Sequence, residues 1–387
     1  MKKIIIIFLL SLQIFVFTSC VGNKKEIQKI YLVVAMGIDL TPDKKYEVTL
    51  QVLNPSASST QESSNSTSQS NEILIYSGIG DTFYDAVFET SKVMGKMQHF
   101  GHLKYIVLSK RVAEYSDKTF KDNIFRLEDI RLNTPLLVTK GNASEIVSAR
   151  TKEGIIPAYV VDNLLERQSL IGYRPYTYLL DFVNQINSET PYPVLGVIEL
   201  VKGEDKLGSE TFKLSGSAVF KKDKLIGFLN DKETRGLNFI EGRVDRGNIT
   251  AYSSNLGKIS LEISNSSSKI KPVLKNDTIN IQIKVKTLSV LRAAPSLPDP
   301  VKDPKIMDEL NNAQNKAIKD EINLALMAAQ HNLKADIFGF GEKIHKSSPE
   351  KWNSIKENWD SLFENVDINI SVESKIRTTG SIFKSME

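Results

Sequence analysis

The only cysteine in the chain, Cys20, stands directly after an apolar run from Ile4 to Phe17 that Ser11 and Gln13 alone interrupt. That placement constrains the fold more than any other feature. No intrachain disulfide can form and a cysteine-rich metal site is excluded, so whatever follows Cys20 must be held by its own buried core. Met1, Lys2 and Lys3 give the run a positive start, and Thr18 and Ser19 are small residues at its exit. This is the layout of a secretory signal peptide over residues 1–19. The apolar run of about 14 residues falls short of the roughly 17–25 that cross a bilayer as a helix. A permanent transmembrane span is the poorer reading.

A cysteine at that exit resembles the lipobox of bacterial lipoproteins. Ser19 occupies the small position ahead of the cysteine, and Phe17 stands where Leu or Val is usual. The resemblance implies a diacylglyceryl group on the Cys20 thiol and an N-acyl chain on the new N-terminus. Two or three chains anchor a protein stably where one gives only marginal binding. The expected location is therefore a membrane, on its extracytoplasmic face. No other cofactor is expected.

The 387 residues, 41% hydrophobic and 25% charged, suffice for two or three domains with real cores. Lys and Arg number 50 against 46 Asp and Glu, and the excess shrinks once Lys2 and Lys3 leave with the leader. Acidic and basic residues are interspersed, with no concentrated basic stripe, which argues against nucleic acid as a partner.

The hydrophobic pattern changes period repeatedly along the chain. Ile30–Ile38 reads as a buried strand, and Thr41-Pro42-Asp43-Lys44 as a turn with Pro at its second position. Tyr46, Val48, Leu50 and Val52 alternate, which predicts a half-exposed partner strand. Residues 56–71 are almost all Ser, Thr, Gln and Asn and read as a flexible surface loop. Ile73–Tyr76 resumes as a strand. Asp81 is placed to cap a helix whose inner face carries Phe83, Val87, Thr90, Met94 and Met97. Strands at Leu103–Leu108, Leu136–Val138 and Val194–Val201 alternate with helices at Phe120–Ile130, Ala143–Ala149, Ala158–Leu170 and Tyr176–Asn187. Asn142 and Glu145 have the spacing of a capping box.

Beyond a polar stretch at 202–210, Gly216–Lys221 and Leu225–Leu229 form a hairpin, and Asp231 is placed to cap a helix to Ile240. Ile259, Leu261 and Ile263 alternate, as do Ile279, Ile281, Ile283 and Val285. Leu288 and Val290 fall in the opposite register, which predicts a bulge near Thr287. Four prolines between Pro295 and Pro304 precede a long helix at Lys305–Leu333, with Ile306, Leu310, Ala313, Ala317, Leu324 and Ala328 on its stripe. Ser348 and Pro349 open a further helix with Trp352, Ile355, Trp359, Leu362 and Phe363 inward. Val366–Val372 alternates as a closing strand. The fold class is mixed α/β or α+β and multidomain, with antiparallel or mixed sheets flanked by helices.

Taken in order, these segments resemble the Ger(x)C family, the lipoprotein C subunit of spore germinant receptors. The resemblance is carried by Ala35–Asp39, Thr82–Ala86 and Phe100–Lys104, then by Ala218–Gly227, Glu233–Leu237, Asp336–Glu342, Ile355–Trp359 and Lys375–Gly380. It spans nearly the whole mature chain, and only the Ser/Asn-rich tract has no place in the pattern. It implies an N-terminal domain over 20–201 and a GerAC-type C-terminal domain over 208–387, which divides further at about 255. It also implies a non-catalytic receptor subunit in the inner spore membrane, with a multi-spanning A subunit and a transporter-like B subunit as partners. Whether the chain itself touches germinant is left open.

Candidate chemistry is sparse. His99 and His102 lack the further ligands of a metal site. Gly339-Phe340-Gly341 lacks the strand–loop–helix glycines or the Lys-Ser/Thr pair of a phosphate cradle and reads as a turn or hinge, with Phe338 and Phe340 pinning it. Glu233-Thr234-Arg235-Gly236 reads either as a helix start paired locally or as an Arg fork that docks a partner carboxylate or sets an interdomain angle. With Cys20 committed to lipid and no Gly-x-Ser-x-Gly elbow, no nucleophile motif is left. A solute-binding or sensory lipoprotein with its own small-molecule pocket is the first alternative, and a cell-wall hydrolase the second.

Overall fold

The computed structural model describes residues 29–54, 72–115, 124, 126–127, 129–150, 156–170, 172, 177–202, 210–275, 278–294 and 305–378. Cys20 and the signal peptide lie outside these residues. So do the 56–71 tract, most of the helix expected at 120–130, the polar stretch at 203–209 and the prolines from 295 to 304.

Strand β1 (Ile30–Leu40) is the hub of a nine-stranded sheet. Its antiparallel partner β2 (Tyr46–Leu53) pairs with β3 (Ile73–Gly80), and the turn between β1 and β2 closes with Lys44 N donating to Thr41 O at 3.0 Å. On the other side β5 (Tyr105–Ser109), β6 (Leu136–Thr139) and β7 (Val194–Lys202) follow in parallel. The antiparallel hairpin β8 (Glu210–Lys221) and β9 (Lys224–Leu229) completes the row, and the short β4 (Met97–His99) adds to the start of β1. The boundary expected at 201–208 therefore falls between two hydrogen-bonded neighbours of one sheet.

Parallel strands need crossovers, and crossovers cover both faces. Helices α1 (Phe83–Val93), α2 (Lys110–Glu114) and α5 (Leu179–Ile186) lie on one core. The other contains α3 (Ala143–Ser148) and α4 (Pro157–Leu170). This is why β2 is buried along its length rather than half exposed. The Gln51 amide, with no solvent access, donates to Val147 O at 2.7 Å and accepts from Ala158 N at 3.0 Å. Its polar atoms are satisfied by the two helices that cover it.

The second sheet runs β10 (Gly247–Ser253), β11 (Gly257–Lys275), β12 (Thr278–Ala293) and β13 (Asp367–Thr378). The first three pair antiparallel, and β13 lies parallel to β12. Helix α6 (Asp231–Glu241) and the long α7 (Lys305–Met327) cover it. A π-helical turn at Ala328–Leu333 ends α7, and α8 (Phe340–Ser347), α9 (Pro349–Ile355) and α10 (Trp359–Phe363) follow.

Several local expectations change. Helix α1 is capped by Thr82 in a box with Asp85, not by Asp81, and Met97 is exposed on β4. Asn142 makes no cap bond to the α3 backbone. The carboxylate of Asp39, at the end of β1, accepts Ala143 N at 2.8 Å and Ser144 N at 2.7 Å. The bulge near Thr287 sits on β11, between Ile263 and Asn265, while β12 keeps its inward register. Its inner face turns polar at Thr287 and Ser289, and Gln314 of α7 reaches both hydroxyls, at 3.3 and 2.5 Å. Leu324 and Leu362 face solvent because the helix faces rotate past them, and Gln314 and Glu321 take inward places.

Candidate functional site

The two sheets meet along a seam, and both motifs singled out in the sequence lie on it. The first is the start of α6. Asn230 follows β9 and caps the helix, accepting from Glu233 N at 3.0 Å, while the Glu233 carboxylate accepts Asn230 N at 2.8 Å. The cap is thus Asn230 rather than Asp231, and Glu233 is its reciprocal partner. Thr234 turns to the first sheet, where its hydroxyl lies 2.9 Å from that of Ser217 on β8.

Arg235 turns the other way and is buried. Its Nε donates to Glu321 Oε2 at 2.6 Å, its Nη2 to Glu321 Oε1, and its Nη1 to the backbone carbonyl of Asn248 on β10 at 2.8 Å. One guanidinium therefore joins α6, α7 and β10. The paired fork is the geometry that Arg supplies and Lys does not. Gly236 makes the approach possible, since a Cβ there would lie 2.1 Å from the carbonyl oxygen of Glu321. The helices cross in backbone contact at the residue that bears the ion pair. Arg235 is bonded inside its own chain, to Glu321 of α7 rather than to a neighbour at the helix start.

The second motif follows the π-turn. Asp336 has no solvent access and accepts four N–H groups. Oδ1 takes Phe338 N at 3.2 Å and Phe340 N at 3.1 Å. Oδ2 takes Gly341 N at 2.8 Å and Trp359 Nε1 at 3.1 Å. Burial pushes this carboxyl above its ordinary range, while the four donors pull it down. Gly339 adopts the left-handed backbone, φ 71°, that glycine accepts without strain. Gly341 is needed for space instead, because a Cβ would meet Trp352 Cη2 at 2.6 Å and Thr190 Oγ1 at 2.9 Å. Phe338 and Phe340 stack with ring centroids 5.1 Å apart inside the core.

This loop is bound to residues 189–192, which lead into β7 of the first sheet. Tyr192 N donates to Asp336 O at 3.0 Å and Glu342 N to Thr190 Oγ1 at 2.9 Å. Trp352 Nε1 donates to Glu189 at 2.7 Å, and the Tyr192 hydroxyl donates to Asp360, which also pairs with Lys221 at 2.7 Å. The glycines and the arginine stand out in the sequence, whereas Glu321 and the role of Asp336 do not. A carboxylate two residues before a Phe-Gly-Phe-Gly run, with Trp following, was the available signal.

A cleft of about 500 Å³ opens beside this loop, lined by Gln185, Glu241, Ser268, Gly339, Glu342 and Lys343 among others. Burial pushes the Glu241 carboxyl up, and Arg243, 3.2 Å away, opposes the shift. Elsewhere His99 bonds Asp129 at 2.9 Å, and the His102 ring lies 5.8 Å from that of His99. Burial, then the His99, Arg131 and Lys104 charges, hold His102 below the usual histidine range. Among the described residues no group of three or more His, Cys, Asp or Glu side chains is placed to hold a metal ion, and no helix is long and apolar enough to cross a membrane.

Residues 23–200 match the family described as spore germination protein N-terminal domain, and residues 215–380 match spore germination B3/GerAC like, C-terminal. The chain belongs to the Ger(x)C family. Relatives from Bacillus subtilis (strain 168) agree in extent. Spore germination protein KC is 25% identical over 98% of this chain and 96% of its own length. Spore germination protein B3 is 24% identical over 93% and 94%. The crystal structure of the GerBC protein superposes with a TM-score of 0.57 at 21% identity, covering 88% of this chain and 96% of that one, so the Ger(x)C fold is shared. Both seam motifs fall in the part of this Ger(x)C chain that matches the C-terminal family.

Proposed function

We propose that this Ger(x)C protein is a lipid-anchored, non-catalytic subunit of a spore germinant receptor, needed for assembly or signalling in nutrient-triggered germination. Acyl chains on Cys20 hold it on the extracytoplasmic face of the membrane, in the dormant spore the inner membrane. Its partners are a multi-spanning A subunit and a transporter-like B subunit. The observation that carries the reading is the matching of both germination families in tandem, in order, behind an apolar N-terminal run and the lone Cys20.

The geometry agrees with that reading. The most buried charged groups of the seam, Arg235, Glu321 and Asp336, are all spent on bonds within the chain. Such a seam fixes the angle between two sheets and presents a body of constant shape. Anchoring that body by lipid raises its effective concentration beside integral-membrane partners.

The test is mass spectrometry of the mature N-terminus from spores, combined with affinity isolation from spore membranes. The expected result is an acylated Cys20 at the N-terminus and two multi-spanning proteins recovered with the chain. In Cys20→Ala the protein is expected in the soluble fraction, with germination slowed. An unmodified thiol on a freely diffusing protein would end this account. The cleft beside Gly339 favours the solute-binding alternative only if nutrient solutes raise the unfolding temperature of the purified chain.

A further inference from the structure

Helix α1 packs Phe83, Ala86, Val87 and Thr90 inward but leaves Tyr84 and Phe88, one turn apart, more than half exposed at 53% and 55%. Met97 beside them is 57% exposed. These three side chains line a groove of about 850 Å³, with Met94 and Leu127 among its other walls. Scattered apolar residues on a surface need no explanation, whereas aromatic rings gathered on one groove do. Among the described residues its charged lining is mainly cationic: Lys29, Lys96 and Arg126 against Asp129, which His99 bonds at 2.9 Å. Lys92 lies over the Phe88 ring at 5.6 Å and pairs with Glu89 at 2.6 Å.

Lys29 is also where the described chain begins. Eight residues separate it from Cys20, and the nine steps between the two positions span even fully extended only about 30 Å. That stretch carries Lys24 and Lys25 against Glu26, a net positive charge. A lipid on Cys20 therefore keeps this groove within one short tether of the bilayer. Aromatic and Met side chains ringed by lysine are the chemistry of a surface that sits at the headgroup level of an anionic membrane.

The geometry points to the Tyr84–Phe88–Met97 groove as the face that lies on anionic lipid, and so sets the orientation of the anchored body. This rests on the lipid-anchor reading above, and the experiment separates the two. The full lipidated chain is reconstituted into phosphatidylcholine vesicles with and without phosphatidylglycerol. Because acylation blocks the sulfur of Cys20, Phe88→Cys introduces one labelable thiol, and Tyr252→Cys on β10 of the second sheet serves as control. With an environment-sensitive fluorophore, position 88 is expected to shift to the blue and to be quenched by doxyl-labelled acyl chains. The shift should be larger with phosphatidylglycerol and reduced by Lys29→Glu with Lys96→Glu, while position 252 stays unquenched. A chain that floats with the vesicles but shows no quenching at position 88 overturns the proposal and leaves the anchor standing. A chain that fails to float, or labels at two sites in Phe88→Cys, overturns the anchor instead. Protection at position 88 only after integral-membrane partners are added assigns the groove to protein and also overturns it.

Discussion

Glu321→Ala tests the seam most sharply. The substitution removes the acceptor of two guanidinium bonds and leaves Arg235, 6% exposed, with a backbone carbonyl as its remaining acceptor among the bonds described above. Coulomb attraction between the pair is not the quantity lost. What counts is the cost of an uncompensated cation held out of water, about 3–5 kcal/mol when one partner of a buried pair is truncated. That is a large fraction of the roughly 5–15 kcal/mol that holds a typical protein folded. The apolar pair Arg235→Met with Glu321→Leu removes both charges at similar volume and is expected within about 1 kcal/mol of the parent, or more stable. Urea unfolding followed by tryptophan fluorescence reads this directly, because Trp352 and Trp359 are both buried in the core that the seam closes. The reasoning fails if Glu321→Ala costs less than about 1 kcal/mol, the range of an exposed pair. It fails equally if the apolar double variant is less stable than the single one.

Three further outcomes are expected. Asp336→Asn turns an amide NH₂ toward one pair of donors, either Gly341 N and Trp359 Nε1 or Phe338 N and Phe340 N, and should cost about 2–4 kcal/mol in the same unfolding experiment. Asp39→Ala uncovers the first amides of α3 and should cost about 1–2 kcal/mol, with faster hydrogen exchange at Ala143 and Ser144. The folded-state pKa of Glu241 is raised by burial, so between its unfolded and folded values the unfolded chain has released a proton that the folded chain keeps. Stability should therefore fall as pH rises through the window above the ordinary Glu value of about 4.3, and Glu241→Gln should flatten that part of the profile.

Local period carried much of this fold into view. The strand at Ile30, the hairpin at Lys222 and the long helix from Lys305 are set by side-chain pattern within ten or twenty residues, so they read off the chain. The pairings that decide architecture are not of that kind. Asp39 caps a helix 104 residues away, Gln51 is satisfied by Val147 and Ala158, and Arg235 finds Glu321 across 86 residues. Each is a polar residue in a buried place, and no periodicity announces where its partner lies. The apparent slip at Leu288 shows the converse. The strand kept its register and its inner face became hydroxylic, because Gln314 was there to meet it. Of the candidate site, Gly339 was legible because its turn needed a left-handed backbone. Gly341 and Gly236 were legible only as glycines, since their reason is a neighbour in space.

The parallel placement of β13 beside β12 has a consequence for how the molecule is made. More than seventy residues intervene between the two strands, so this ladder closes only after almost everything else has emerged. Until then β12 offers one flank of unpaired amides and carbonyls, the kind of edge that other chains adopt as a template. A nascent or truncated molecule that stops short of Asp367 would carry that adhesive margin, and its disposal would fall to proteases.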